Sequence, residues 1–326
     1  MQTLLRSTKA YTLLENEGRE NKFSHAYLLT LNDDNNLRLA LKTFALLFFD
    51  CAEPQTEQQK RIAERIMSES FSDCLIFPAE GKKLTVEDAE KIQEESTLNP
   101  IEGEKKLFLI GDFSQGTPQF QNKLLKLLEE PPKNVHFLLG ATTVFSVLST
   151  VLSRTKKLEI QPFSSEQITQ ALVRLYGSSQ DKSYLLVCAA TANGSVGEAQ
   201  EIVEGGFYKN IKETAFQLVL CPLAKLPSLV KQIGESRHQK ELLSMLRLIF
   251  RDALILKTQT RNLNGKLFLI SEKDTLIRVS EKYNLTTLLY AQEVITEAEK
   301  QIKFNAVFPQ CIELCISKII YKNLEK

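Results

Sequence analysis

Between Phe23 and Ile160, short apolar runs alternate with longer stretches of helical period, and this alternation restricts the fold more than any other feature of the chain. Phe23–Thr30, Ser72–Phe77, Lys106–Ile110, Val135–Leu139 and Lys157–Ile160 read as strands. Leu37–Phe49, a stretch from Thr85 to about Leu98, and a Leu-rich stretch from Pro118 to Glu130 read as helices. Strands joined through helices run parallel, and helices then cover both faces of the sheet. The punctuation agrees. Thr85 followed by Asp88 is a capping-box pattern, and Asn99-Pro100 stops the helix that it opens. Pro118 suits a first helical turn, whereas Pro131 and Pro132 end a helix because they lack the N–H and clash with the preceding turn.

After Pro162 the pattern changes. Ser164 to about Gly206 reads as three short helices, divided near Gly177 and near Asn193-Gly194. From Phe207 to Lys326 the helical period continues almost throughout, with Leu242, Leu243, Leu246, Ile249 and Phe250 as one stripe and Ala291, Val294, Ile295 and Ala298 as another. Three domains are expected, over residues 1–163, 164–206 and 207–326, with no internal repeat and no low-complexity tract. A length of 326 residues with 43% hydrophobic and 25% charged residues supports a real core and excludes wholesale disorder.

Charge excludes further classes. With 41 Lys and Arg against 40 Asp and Glu, the net charge of +1 provides no global field for nucleic acid or an anionic membrane. DNA contact must therefore come from a local patch or through a partner. The richest apolar run, Phe44–Phe49, is far shorter than the roughly 20 residues of a membrane span. The opening MQTLLRSTKA lacks the basic start and apolar block of a secretion signal, so a cytoplasmic location is expected. The six cysteines sit mostly among apolar residues and read as buried thiols rather than disulfides. Cys311 and Cys315 share a helix face flanked by Ile312, Leu314 and Ile316, which reads as packing. His25, His136 and His238 are scattered, and no G-x-S-x-G or H-E-x-x-H motif supports hydrolase or metalloprotease chemistry.

The segment Gln121–Pro132, QNKLLKLLEEPP, resembles the N-A-L-L-K-x-L-E-E-P-P helix of bacterial DNA polymerase III clamp-loader subunits. VHFLLGATT (Val135–Thr143) and STVLSRTKKLEI (Ser149–Ile160) follow in that family's order, the second resembling its T-x-x-S-R-C stretch. Upstream, SHAYLL (Ser24–Leu29) is similar to the strand that leads into the family's phosphate loop. Past Gly205 the resemblance is one of architecture. It implies an α/β AAA+ core, a parallel sheet covered by helices, followed by a small helical lid domain and an all-α C-terminal collar domain. Subunits of this type often carry a four-Cys zinc module after the first helix. Cys51 falls at its first position, but EPQTEQQK (Glu53–Lys60) supplies no further Cys or His, so no metal is expected.

A Walker A loop needs glycines that let backbone N–H groups turn inward, a Lys for the β- and γ-phosphates, and a Ser or Thr for magnesium. Here the strand ending at Thr30 is followed by LNDDNNLRLALK, with no glycine from Leu31 to Phe49. Asn32, Asp33, Asp34, Asn35 and Asn36 occupy the loop position, and the only nearby cations are Arg38 and Lys42. The family's magnesium-organising Asp falls at Gly111 and its catalytic Glu at Asp112, which reads as a cap or turn former. Gly197 takes the place of the sensor arginine. No cofactor and no intrinsic ATPase activity are expected, which places the chain with the delta-prime-like, ATPase-deficient branch of the family.

Ser153-Arg154 is retained, and the resemblance implies that Arg154, supported by Ser153, reaches as an arginine finger into the ATP site of an adjacent subunit. Thr155 and Ser149 depart from the family's usual Cys and Pro. Lys123 and Lys126 are candidate DNA-backbone contacts, or else a solvated face paired with Glu129 and Glu130 at helical spacing. The implied partners are the gamma/tau ATPase subunits and delta, with the sliding clamp and primer–template DNA engaged through the complex, and no membrane. The chain would thus belong to a DNA-directed DNA polymerase holoenzyme. Two alternatives stay open: an active AAA+ clamp-loader ATPase with a divergent phosphate loop, and a non-replicative scaffold built on the AAA+ core.

Overall fold

The computed structural model describes residues 1–234, 238–258 and 267–325. Internal contacts divide the chain into two units, Met1–Phe163 and Ser164–Lys326.

In the first unit, α1 (Gln2–Arg6) and α2 (Lys9–Arg19) precede β1 (Ala26–Thr30). Then follow α3 (Asp34–Phe48), α4 (Glu57–Met67), β2 (Cys74–Phe77), α5 (Val86–Ser96) and β3 (Lys106–Asp112). The unit is completed by α6 (Pro118–Glu129), β4 (Val135–Ala141), α7 (Ser149–Leu152) and β5 (Lys156–Glu159). The five strands form one sheet in the order β2-β3-β4-β1-β5, and every neighbouring pair is parallel. Leu28 on β1 faces Leu139 on β4 and Lys157 on β5, so β1 is interior to the sheet. Phe108 and Phe137, paired across β3 and β4, stack with ring centroids 5.4 Å apart. This is the parallel α/β core that the alternating pattern leads one to expect.

The differences from the sequence-based expectation are local. β1 starts at Ala26, because Phe23 lies outside the ladder and stacks on Phe48 at 4.3 Å. α3 starts at Asp34, three residues early, because Asp33 caps it. β3 and β4 run two residues further, to Asp112 and Ala141. α6 starts at Pro118, with the Thr117 side chain accepting from Phe120 N–H, and its last helical residue is Glu129. The Thr85–Asp88 capping box is present at the start of α5.

The second unit is helical throughout its described residues. It comprises α8 (Ser165–Tyr176), α9 (Lys182–Thr191), α10 (Val196–Gly205), α11 (Tyr208–Leu220) and α12 (Leu226–Ile233). α13 (Gln239–Thr258), α14 (Lys273–Lys282), α15 (Leu285–Lys303) and α16 (Phe308–Leu324) follow. Both predicted stripes are buried, on α13 and α15 respectively, and they share one apolar core with Ile312, Ile316 and Ile319 of α16. Asn193 and Gly194 have φ of 48° and 90°, a left-handed turn that separates α9 from α10. Cys311 and Cys315 are buried, but Leu314, predicted to pack beside them, is 48% exposed because it faces away from that core. Among the described residues, no helix is long and apolar enough to cross a membrane.

Candidate functional site

Only Leu31, Asn32 and Asp33 connect β1 to α3. Leu31 N–H donates to Ala141 C=O at 3.0 Å and Asp33 N–H to Leu31 C=O at 2.8 Å, so the connection is tight. The Asp33 carboxylate then turns onto the start of α3. Its Oδ1 accepts from Asn36 N–H at 3.2 Å, and the Asn36 amide donates to Oδ1 and Oδ2 at 3.1 and 3.0 Å. Asp33 and Asn36 are buried, while Asn32, Asp34 and Asn35 are exposed. A helix N-terminus attracts anions through its unpaired N–H groups and its dipole. Here the protein's own carboxylate lies at that end, and without glycine the turn makes no inward-facing nest.

The two cations on α3 itself are committed to partners. Arg38 Nε donates to Glu69 Oε1 at 2.7 Å, its NH2 group meets Oε2, and NH1 donates to Pro78 C=O at 2.9 Å. Lys42 Nζ donates to Glu69 Oε1 at 3.0 Å and to Met67 C=O at 2.9 Å. Hydrogen bonding from Arg38, with Lys42 adding to it, lowers the Glu69 carboxyl to about 2. Glu69 has a φ of 61°, a left-handed conformation that costs a residue with Cβ about 1–2 kcal/mol.

The second half of the expected site lies at the end of β3. A Cβ at Gly111 would come within 3.3 Å of Phe77 C=O and Pro78 Cδ, so any side chain there would push these neighbours back by a few tenths of an ångström. Asp112 acts as the predicted turn former. Its Oδ1 accepts from Ser114 N–H, Ser114 Oγ and Thr142 N–H at 3.2, 2.5 and 3.1 Å. Its Oδ2 accepts from Thr142 Oγ1 and Gln115 Nε2 at 2.8 and 2.9 Å. These bonds lock the ends of β3 and β4 together and use the lone pairs that a base would need. A cleft of about 220 Å³ lies beside these residues, lined by Asp34, Arg38, Lys82, Lys83, Gly111 and Asp112 among others. It is smaller than the roughly 300–1,000 Å³ usual for small-ligand sites.

Arg154 follows the single turn of α7. Its NH1 donates to Thr150 C=O at 2.8 Å and to Ser153 Oγ at 3.1 Å, and NH2 pairs with Glu129 at the end of α6. Lys123 pairs with Glu90 of α5, which replaces the same-helix pairing with Glu129 and Glu130 that the spacing had offered. Lys126 is exposed, with no ion pair among the described residues. Gly197 is buried in the first turn of α10, in the second unit. Cys51 is buried with its thiol donating to Phe49 C=O at 2.9 Å, and burial raises it to about 11.

Gln121 is the residue that the sequence reading missed. It is buried on α6, where Nε2 donates to Gly116 and Ser146 C=O at 3.0 and 2.9 Å and Oε1 accepts from Leu148 N–H at 2.9 Å. One side chain thereby fixes the loop that enters α7 and delivers Ser153-Arg154. The signal was available: Gln121, Leu124 and Leu128 share a helix face, and a polar residue on an apolar face requires partners.

Comparison with known proteins follows this geometry. The family described as "DNA polymerase III, delta subunit" matches residues 6–164. DNA polymerase III subunit delta' of Bacillus subtilis is 29% identical over 253 residues, covering 74% of this chain and 75% of the relative. The tau subunit of the same organism is 23% identical over 317 residues, covering 89% of this chain and 56% of its own length. A DNA polymerase III gamma-subunit-related protein of Thermotoga maritima superposes over 95% of this chain and 99% of its own, at 16% identity and a TM-score of 0.41. The family match spans nearly the whole first unit, so over residues 6–164 the chain is similar to DNA polymerase III clamp-loader subunits.

Proposed function

We propose that this chain is a delta-prime-like, non-hydrolysing subunit of a DNA polymerase III clamp loader, acting in the cytoplasm. The observation that carries the reading is the buried Asp33–Asn36 turn, which fills the α3 N-terminus with a carboxylate where a phosphate-binding subunit needs open N–H groups. The rest of the region supports it. Gly111 carries no side chain to organise magnesium, Asp112 accepts five hydrogen bonds, and Arg38 and Lys42 are held by Glu69. The residues at this place do not fit a magnesium triphosphate, so no catalytic step is assigned to them.

In this reading the chain serves chemistry on a neighbour. Arg154, supported by Ser153, reaches into the ATP site of an adjacent gamma/tau subunit, where a planar, permanently charged guanidinium can pair two phosphate oxygens. Residues 164–206 serve as the lid and 207–326 as the collar that joins the ring. Delta is the other partner, and the sliding clamp and primer–template DNA are engaged through the assembly, with exposed Lys126 a better phosphate contact than Lys123. The test is Arg154→Ala in a reconstituted loader whose other ATPase sites are disabled. Turnover at the adjoining site should fall by about 10³-fold with assembly intact. Unchanged turnover would remove the finger role.

A further inference from the structure

We infer that Glu129 is a positioning residue for Arg154: it holds the guanidinium folded back on the protein's own surface until a neighbour's phosphate displaces it. The inference rests on the finger reading above. Arg154 makes three polar contacts within its own chain: Thr150 C=O and Ser153 Oγ hold NH1, and Glu129 Oε1 holds NH2. An arginine in this pose cannot extend across an interface without giving up these contacts. The Arg154 and Glu129 side chains are 32% and 46% exposed, so an incoming anion can reach the pair.

The place of Glu129 is itself informative. It is the last residue of α6, where exposed C-terminal carbonyls disfavour a carboxylate and would favour a cation. Arg154 offsets that misplacement in the free chain. Exposed ion pairs are weak, whereas a phosphate presents more charge and more oxygens to the same fork. The pair is therefore an exchange contact: tight enough to orient the arginine, weak enough to yield.

The experiment has two arms, both with the full chain. In the first, NMR relaxation of the Arg154 Nε–H group is compared between wild type, Glu129→Gln and Glu129→Asp. Both variants should raise its mobility, and unchanged mobility in both overturns the inference. In the second, each chain is titrated into the other loader subunits with ATP. Glu129→Gln should lower the half-saturating concentration by about two- to fivefold, the equivalent of one surface ion pair, without changing the plateau. The same substitution in an Arg154→Ala background should do nothing. An equal change in both backgrounds marks Glu129 as merely structural, and a lowered plateau marks it as an aid to catalysis; either result overturns the inference. If Arg154→Ala itself alters neither plateau nor half-saturation, the finger reading fails and takes this one with it, while the NMR arm still reports the contact separately.

Discussion

Glu69 governs the charge balance around the turn between β1 and α3. Its carboxylate binds both Arg38 and Lys42, and the three side chains are only 16–23% exposed. Hydrogen bonds to charged groups are worth about 1.5–3 kcal/mol net, so Glu69→Gln should cost about that much. The pH dependence has a definite sign. Because the folded carboxyl is lowered to about 2, its contribution is fully present above the unfolded value of about 4.3 and is lost as pH falls from there toward 2. Urea melts of wild type and Glu69→Gln should differ most near neutrality and converge near pH 2. A difference that stays constant with pH would show that the ion pair is not the source. Asp33 illustrates the same scale in reverse, since a carboxylate that would repel a triphosphate stabilises the fold by capping α3.

At the level of elements, α6 does most to place Arg154. Thr117 and Pro118 start it, Pro131 and Pro132 end it, and Gln121 ties it to the loop before α7. Gln121→Ala would leave Ser146 C=O and Leu148 N–H without their partner, at a cost of about 1–3 kcal/mol for each buried group left unpaired. Thermal melts should show that loss, and, under the proposed finger role, stimulation of a neighbouring ATPase should weaken even at temperatures where the variant is folded. Full stimulation by a destabilised but folded variant would mean that the loop needs no such clamp. Elements marked by local chemistry were legible in the sequence: every predicted strand exists, and caps and prolines fixed the helix ends to within a few residues. The helices α1, α2 and α4 were not, because α4 buries only Ile66 and α2 only Ala10, Tyr11 and Leu14. Their apolar faces become recognisable only against a core assembled from distant segments. The lack of glycine from Leu31 to Phe49 and the Ser153-Arg154 step could be read directly. The Arg38–Glu69 pair, 31 residues apart, and the Lys123–Glu90 pair, 33 apart, could not, because no local pattern records a contact across the fold.

At the scale of the whole molecule, a near-neutral chain of two units carries a parallel α/β core with a buried Asp33–Asn36 turn after β1, and a helical unit with a large apolar core. On the proposed reading, such a chain keeps the scaffold of an ATPase while lending one arginine to a neighbour. The most direct measurement is isothermal titration of the full chain with MgATP. No saturable binding should appear up to millimolar nucleotide. Saturable binding with a micromolar Kd, abolished by substitutions in the 32–36 turn, would contradict it and return the chain to the active ATPases.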